Sequence, residues 1–205
     1  MPKLRMGDDY VASLGWTLSY HPANVDLSYD NPQHVLIRRP TQVIVKAPDG
    51  SDMVCFFKPV GSNLGPTLAR NELFTHEKII KAELPAEALI CQLYGLVRDG
   101  NVIYGMLFPW VKKRGVLSRA LALSSSTELR QGWSGQISRT ISHLHQQGIT
   151  WGDAKADNVL IDKNGNAWVI DFGGGYTPGW VDKEKSGTLE GDMQGLAKIL
   201  SDILR

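Results

Sequence analysis

The sequence predicts an α+β fold in two lobes, the first an antiparallel sheet carrying one helix and the second reduced and mainly helical. Strand-like runs dominate the first half, punctuated by Asp49-Gly50 and Asp99-Gly100-Asn101, both strong reversal signals. One helical stretch, Thr67 to Lys81, interrupts them, so the order is three strands, a helix and two strands. Beyond Trp110 the apolar residues recur every three or four positions, the period of an amphipathic helix.

Composition sets the outer limits. With 205 residues and 42% hydrophobic content, the chain can bury one ample core or two small ones. Lys and Arg total 22 against 21 Asp and Glu, so no global field draws it to nucleic acid or to an anionic membrane, and neither is expected as a partner. The two cysteines, Cys55 and Cys91, stand in apolar, strand-like settings and are read as plain core thiols. No N-terminal run has the order of a signal peptide, and no apolar run approaches the roughly 20 residues that cross a bilayer. A cytoplasmic or nuclear protein is expected.

Residues 1–33, rich in Asp, Ser, Tyr, Pro and Gly, lack sustained periodicity and predict a loose segment with one short strand around Trp16 to Ser19. The first lobe spans residues 34–108. It opens with His34 to Ile37, Gln42 to Lys46 and Met53 to Phe57, a meander ending at Lys58. Gly61 to Pro66 breaks the chain before the helix, whose apolar positions are Leu68, Leu73, Ile79 and Ile80, and Pro85 closes it. Leu89 to Val97 and Val102 to Phe108 complete the sheet.

The second lobe, residues 112–205, starts with a basic linker, Lys112-Lys113-Arg114-Gly115, and a short helix. A longer helix follows: Ser125 and Glu128 stand at capping-box spacing, Leu129, Trp133, Ile137, Ile141 and Leu144 form its stripe, and Gly148 stops it. Asn158 to Ile161 and Ala167 to Ile170 form a hairpin around Lys163-Asn164-Gly165. A last helix runs from about Leu189 to Ile203, with Asp192 on its apolar face. Trp133 and Trp168 read as core, and Gly173 to Gly175 as the start of a flexible loop. His143 and His145, not at metal-site spacing with any other ligand, read as surface or capping residues.

Chemistry concentrates between Trp151 and Gly173. Trp151-Gly-Asp-Ala-Lys-Ala-Asp-Asn158 sets an acid, a base and an amide in a loop between a helix and a hairpin. Asp171-Phe172-Gly173 follows the second hairpin strand. A hairpin returns the chain to its starting edge, so Asp153, Asn158 and Asp171 can converge. The oxygens of Asn158 and Asp171 suit Mg²⁺, a hard ion that shares its coordination with water and phosphate. Phosphoryl transfer needs such a metal, cations on the phosphates and a carboxylate to orient the attacking hydroxyl.

These motifs, Asp153 to Asn158, Val159-Leu-Ile-Asp162 and Ile170-Asp-Phe-Gly173, resemble in order and spacing the catalytic loop and metal-binding motif of eukaryotic-type protein kinases. The resemblance implies a two-lobed kinase-like fold that uses ATP and Mg²⁺. It makes Asp153 the catalytic base, Lys155 the cation that steadies the γ-phosphate, Asn158 and Asp171 the metal ligands, and Leu160 the residue beneath the adenine. In the first lobe it makes Lys58 the lysine on the α- and β-phosphates and Glu77 its helix partner, with Glu72 as a rival. Phe108 then controls the depth of the adenine pocket. Residues 109–111 form the hinge, where Pro109 and Val111 offer backbone groups to the purine. Asp192 resembles the family's buried aspartate, which accepts bonds from the catalytic-loop backbone.

The sequence also departs from the family. The turn Arg38-Arg39-Pro40-Thr41 stands where a glycine-rich phosphate loop is usual, Trp151-Gly152 replaces His-Arg, and the segment from Gly173 to Asp192 is short. Trp151 can still fill the histidine's packing site. Three classes follow. The first is a protein-kinase-type phosphotransferase acting on Ser or Thr hydroxyls, because Lys155 two residues after Asp153 resembles that group of kinases more than tyrosine kinases. The second is a kinase of the same fold acting on a small-molecule hydroxyl. The third is a pseudokinase that binds ATP as a scaffold.

Overall fold

The structure, a computed structural model, describes residues 3–28, 42–60 and 66–205. The strand expected over His34 to Ile37, the turn Arg38 to Thr41 and the break from Gly61 to Gly65 lie outside the described residues. The fold is α+β, and the chain divides into two compact units: residues 1–69 with 92–110, and residues 70–91 with 111–205.

The first unit is built on one sheet. Strands β1 (Leu4–Arg5), β2 (Leu18–Tyr20), β3 (Asp26–Leu27), β4 (Gln42–Lys46), β5 (Asp52–Pro59), β6 (Gly95–Asp99) and β7 (Val102–Pro109) pair in the order β2-β6-β7-β5-β4-β3, with β1 on β7. The β2–β6 pair is parallel and the others antiparallel. Alternation along the pleat turns Val43, Val45 and Cys55 inward against Val97 and Leu107, with Tyr20, Phe57 and Tyr94 packed around them. Burial pushes the Cys55 thiol up to about 11, which suits an inert core residue. The reversal at Asp49-Gly50 is a finished turn: Gly50 takes φ 84°, and Asp49 Oδ1 accepts from the Ser51 amide at 2.9 Å and hydroxyl at 2.6 Å.

Two expectations change here. The segment read as loose supplies β1, β2, β3 and a five-residue helix, α1 (Asp8–Ala12), so it extends the sheet instead of trailing from it. Strands of two or three residues are too short to show a period, and the sheet edges alone order them. The run Leu89 to Val97 is also split. Val169 N–H donates to Leu89 O at 2.8 Å, and Cys91 N–H donates to Val169 O at 3.1 Å, so its first half pairs within the second unit while β6 begins at Gly95.

The second unit is mainly helical. Helix α2 (Pro66–Lys81) starts in the first unit, and its Ile79 is buried in the core of the second unit, to which residues 70–91 belong. The core is completed by α3 (Arg119–Leu123), α4 (Thr127–Gln146) and α5 (Leu189–Lys198), with Trp133, Ile137, Ile141, Leu144, Trp151 and Ile199 inside it. Ser126, not Ser125, caps α4, accepting from Leu129 N–H at 3.3 Å; the Ser125 hydroxyl donates to Leu121 O at 2.7 Å. Gly148 ends the helix at φ 66°, as expected. The basic stretch read as a linker is strand β8 (Lys113–Val116), the edge of a small sheet ordered β10-β9-β8 with β9 (Val159–Asp162) and β10 (Ala167–Val169). Lysine and arginine suit such an edge because charge discourages pairing with other chains. Among the described residues no helix is long and apolar enough to cross a membrane.

Asp162 closes the β9–β10 hairpin. Its carboxylate accepts from the amides of Asn164 and Asn166 at 2.9 and 2.8 Å, from Asn166 Nδ2 at 3.1 Å and from Trp168 Nε1 at 2.9 Å. Trp168 is half-buried and not the core residue expected, whereas Trp133 is fully enclosed and donates to Gly165 O at 2.8 Å. Burial pushes the Asp162 carboxyl up, but the bonds from Trp168, Asn166 and Asn164 outweigh it and hold it below the ordinary aspartate value. A lowered pKa adds stability that is present above the unfolded value near ~4 and is lost as pH falls through the folded one. Asp162→Ala should therefore cost on the order of 3 kcal/mol at pH 7, since several donors lose their acceptor. In urea denaturation across pH, the gap between variant and wild type should be constant above about pH 5 and shrink below about pH 4.

Candidate functional site

The segment Trp151 to Asn158 follows α4 with few regular backbone bonds of its own, so other elements must hold it. Asp192, in the first turn of α5 and 1% exposed, does so: its carboxylate accepts from the amides of Trp151 at 2.6 Å and Gly152 at 2.8 Å. This is the role the resemblance implied. His145 Nε2 lies 3.0 Å from the same carboxylate, so His145 is part of the support and not the surface or capping residue expected. His143 stays near the surface, with Nε2 3.9 Å from Glu87 Oε1. The indole of Trp151 is fully buried and donates to Ile170 O at 2.9 Å, tying the loop to the hairpin's exit.

Two glycines make this packing possible. A Cβ at Gly195 of α5 would lie 2.3 Å from the Ala154 carbonyl oxygen, so helix and loop meet backbone to backbone. Gly152 has φ 87°, and a Cβ there would stand 3.1 Å from Gly174 Cα. The replacement of the family's arginine by glycine at this position thus accompanies a close approach by the chain after Asp171-Phe172-Gly173.

Asp153, Lys155 and Asn158 come together. Lys155 Nζ meets Asp153 Oδ2 at 2.5 Å, and both side chains are largely enclosed, at 18% and 13% exposure. Asn158 Nδ2 donates to Asp153 O at 2.9 Å and to Asp153 Oδ2 at 3.2 Å. Sequence reasoning missed the other partner: the Thr177 hydroxyl donates to Asp153 Oδ1 at 3.0 Å and accepts from Lys155 Nζ at 2.9 Å. No spacing rule flags Thr177, which follows three glycines and a tyrosine in an irregular stretch.

The oxygen donors fit a hard cation. The amide nitrogen of Asn158 is committed to Asp153, so its side-chain oxygen is the atom that would serve a metal. Ile170 N–H donates to Asn158 O at 3.0 Å, which brings the residue before Asp171 to the same place. Asp171 adopts φ 62°, a conformation uncommon for a non-glycine residue and frequent at sites where function constrains the backbone. One amide and one carboxylate oxygen suit Mg²⁺ that completes its shell with water and phosphate. Among the described residues there is no cluster of three or more His, Cys, Asp or Glu that could hold a metal ion.

The remaining candidates are distributed as follows. Leu160 is half-exposed on β9, on the face opposite the buried Val159 and Ile161. Lys58 sits on β5 in register with Met106, and Pro109 ends β7 opposite Cys55; both belong to the first unit, whereas Val111 belongs to the second. Phe108 is buried at 7% exposure. On α2 the two glutamates differ: Glu77 bonds Lys81 Nζ at 2.7 Å, while Glu72 is 1% exposed. His76, one turn beyond Glu72 and fully buried, meets the Phe172 ring edge-on at 5.4 Å.

Comparison with known proteins bears out the family resemblance. The protein kinase domain family matches residues 67–178, more than half of the chain. A cGMP-dependent protein kinase of Plasmodium berghei is 38% identical over 105 residues, covering 46% of this chain and 11% of the relative. The serine/threonine-protein kinase kin-29 of Caenorhabditis elegans is 29% identical over 92 residues, 41% of this chain and 10% of the relative. A 3-deoxy-D-manno-octulosonic acid kinase of Xylella fastidiosa is 34% identical over 96 residues, 46% of this chain and 36% of the relative. The matched stretch thus spans a minor part of each relative.

The support from α5 is open to direct measurement. Asp192→Ala leaves two loop amides and His145 without their acceptor and should lower stability by on the order of 3 kcal/mol. Amide exchange at Trp151 and Gly152, followed by NMR, should accelerate more than exchange in the β4–β5 hairpin. Equal acceleration in both would mean that Asp192 supports the whole fold and not the loop.

Proposed function

The chain belongs to the protein kinase superfamily, and from that premise we propose that it is a Mg-ATP-dependent phosphotransferase that moves the γ-phosphoryl group to a hydroxyl. One observation carries the reading: a carboxylate, a lysine and an asparagine meet within hydrogen-bond distance on a loop that Asp192 anchors from behind. Asp153 accepts the proton of the attacking hydroxyl, and Lys155 beside it offers positive charge to the transferred phosphoryl. Asn158 and Asp171 would hold Mg²⁺, which neutralises charge developing on the phosphates. Leu160 offers an apolar surface for the purine, and the nucleotide contacts of Lys58, Pro109 and Val111 rest on the motif resemblance. For the helix glutamate, burial favours Glu72 over Glu77, whose carboxylate is engaged by Lys81.

The acceptor is a Ser or Thr hydroxyl of a protein in the leading reading, supported by the position of Lys155. A small-molecule hydroxyl is the second reading. It is supported by the stretch from Gly173 to Thr188, whose regular structure is a single 3₁₀ turn, Lys183–Lys185, and offers little platform for a peptide. The similarity to a kinase of a sugar acid points the same way.

Calorimetry with ATP, with and without Mg²⁺, tests the common core. Wild type should bind more tightly with Mg²⁺, and Asp171→Asn should remove that gain. Asp153→Ala should retain binding and lose about 100-fold or more in transfer. Undiminished transfer by Asp153→Ala would end the assignment, and ATP binding without transfer to any acceptor would favour the pseudokinase scaffold. Transfer to sugar acids but to no protein would decide for the second acceptor.

A further inference from the structure

We propose that, independently of any chemistry at Asp153, the open edge of β8 docks an acidic, extended segment of a partner protein, which adds to the small sheet as a further strand. β8 ends the order β10-β9-β8, so one side of its backbone has no strand beside it. Its other side is bonded to the hairpin at both ends. Leu117 N–H donates to Val159 O at 2.8 Å, and Lys112 O accepts from Lys163 N–H at 2.9 Å. Alternation therefore turns the peptide groups of Val116 to the open side, and the register shift between Lys113 and Gly115 leaves Arg114 as an extra residue with no partner on β9. Among the described residues no hydrogen bond reaches the backbone of Arg114 or Val116 from that side.

Charge selects what can pair there. Lys112, Lys113 and Arg114 are exposed, as is Lys163 in the adjoining turn. Among the described residues none of these cations has an ion pair, whereas Lys46, Lys81, Lys155 and Lys185 each meet a carboxylate. Asp162, in register with Lys113, is 8% exposed and spends its carboxylate inside its own turn. The net charge of the chain is only +1, so the positive field is local to this edge.

These facts separate the possible occupants. A second copy of β8 would set lysine and arginine against lysine and arginine, which repulsion disfavours. The phosphates of a lipid surface or a nucleic acid match the charge but supply no N–H for the outward carbonyls. An extended acidic peptide supplies both: its backbone alternates donor and acceptor along the strand, and its carboxylates reach cations that have none. The same charge that turns other chains away thus admits this one. Exposed ion pairs are individually weak and screened by salt, so the ladder supplies affinity and the cations supply selection.

The test titrates the purified full chain into a fluorescent, end-blocked peptide in which Glu alternates with Thr, followed by anisotropy and by NMR amide exchange. The expected result is saturable binding that weakens as salt is raised, with slower exchange at Arg114 and Val116 and no change in the β4–β5 hairpin. Lys113→Glu combined with Arg114→Glu should weaken binding about tenfold or more, and a peptide alternating Lys with Thr should bind that double variant but not the wild type. Methylating alternate backbone nitrogens of the acidic peptide keeps its charge, removes its donors and should abolish binding. Equal binding of the methylated peptide would overturn the inference in favour of diffuse charge attraction. Protection of other amides but not of Arg114 and Val116 would overturn it too. So would a chain that ignores the peptide yet binds phosphatidylserine vesicles or a single-stranded oligonucleotide through the same cations.

Discussion

Three bonds converge on the Asp192 carboxylate, from the amides of Trp151 and Gly152 and from His145. A buried carboxylate with its acceptor positions filled is rigid because losing any partner strands a charge away from water. The loop from Trp151 to Asn158 has no ladder of its own, so its shape depends on this contact and on the helix that carries it. Gly195 lets that helix approach Ala154 closely, and Trp151 extends the constraint to the carbonyl just before Asp171. The arrangement of Asp153, Lys155 and Asn158 is downstream of these contacts.

The second unit therefore reads as a frame built around a loop. Helix α4 brings His145 to Asp192 and carries Trp133, whose indole fixes the turn of the β9–β10 hairpin through Gly165. Asp162 secures the same turn from inside. The hairpin in turn holds Asn158 and Ile170 together, which sets Asn158 beside the residue that precedes Asp171. Helix α2 joins this frame through Ile79 and through the edge contact of His76 with Phe172. A change at the ring following Asp171 would thus be felt by α2, through packing within one core.

The family's usual devices are partly exchanged for others. Tryptophan takes the place of the histidine and keeps the buried position while adding an N–H bond, and glycine takes the place of the arginine where the chain turns at positive φ beside Gly174. Removing an arginine removes the common reader of a phosphorylated segment. Thr177, in contact with Asp153 and Lys155, ties the short segment directly to the loop that carries them.

What the sequence by itself determined was local. The motif spacing from Asp153 to Asp171, the stripe of α4, the Asp49-Gly50 turn and the Asn164-Gly165 turn are set by side-chain chemistry and backbone preference over a few residues, and they hold in the folded chain. What tertiary structure decided was membership and partnership. The edge strands near the N-terminus, the split of Leu89 to Val97, the strand formed by Lys113 to Val116 and the choice of Ser126 as cap all depend on which neighbour supplies the missing hydrogen bonds. His145 and Thr177 belong to the site for the same reason. Each is an ordinary residue in sequence, given its role by a carboxylate far along the chain that needs a partner once water is excluded.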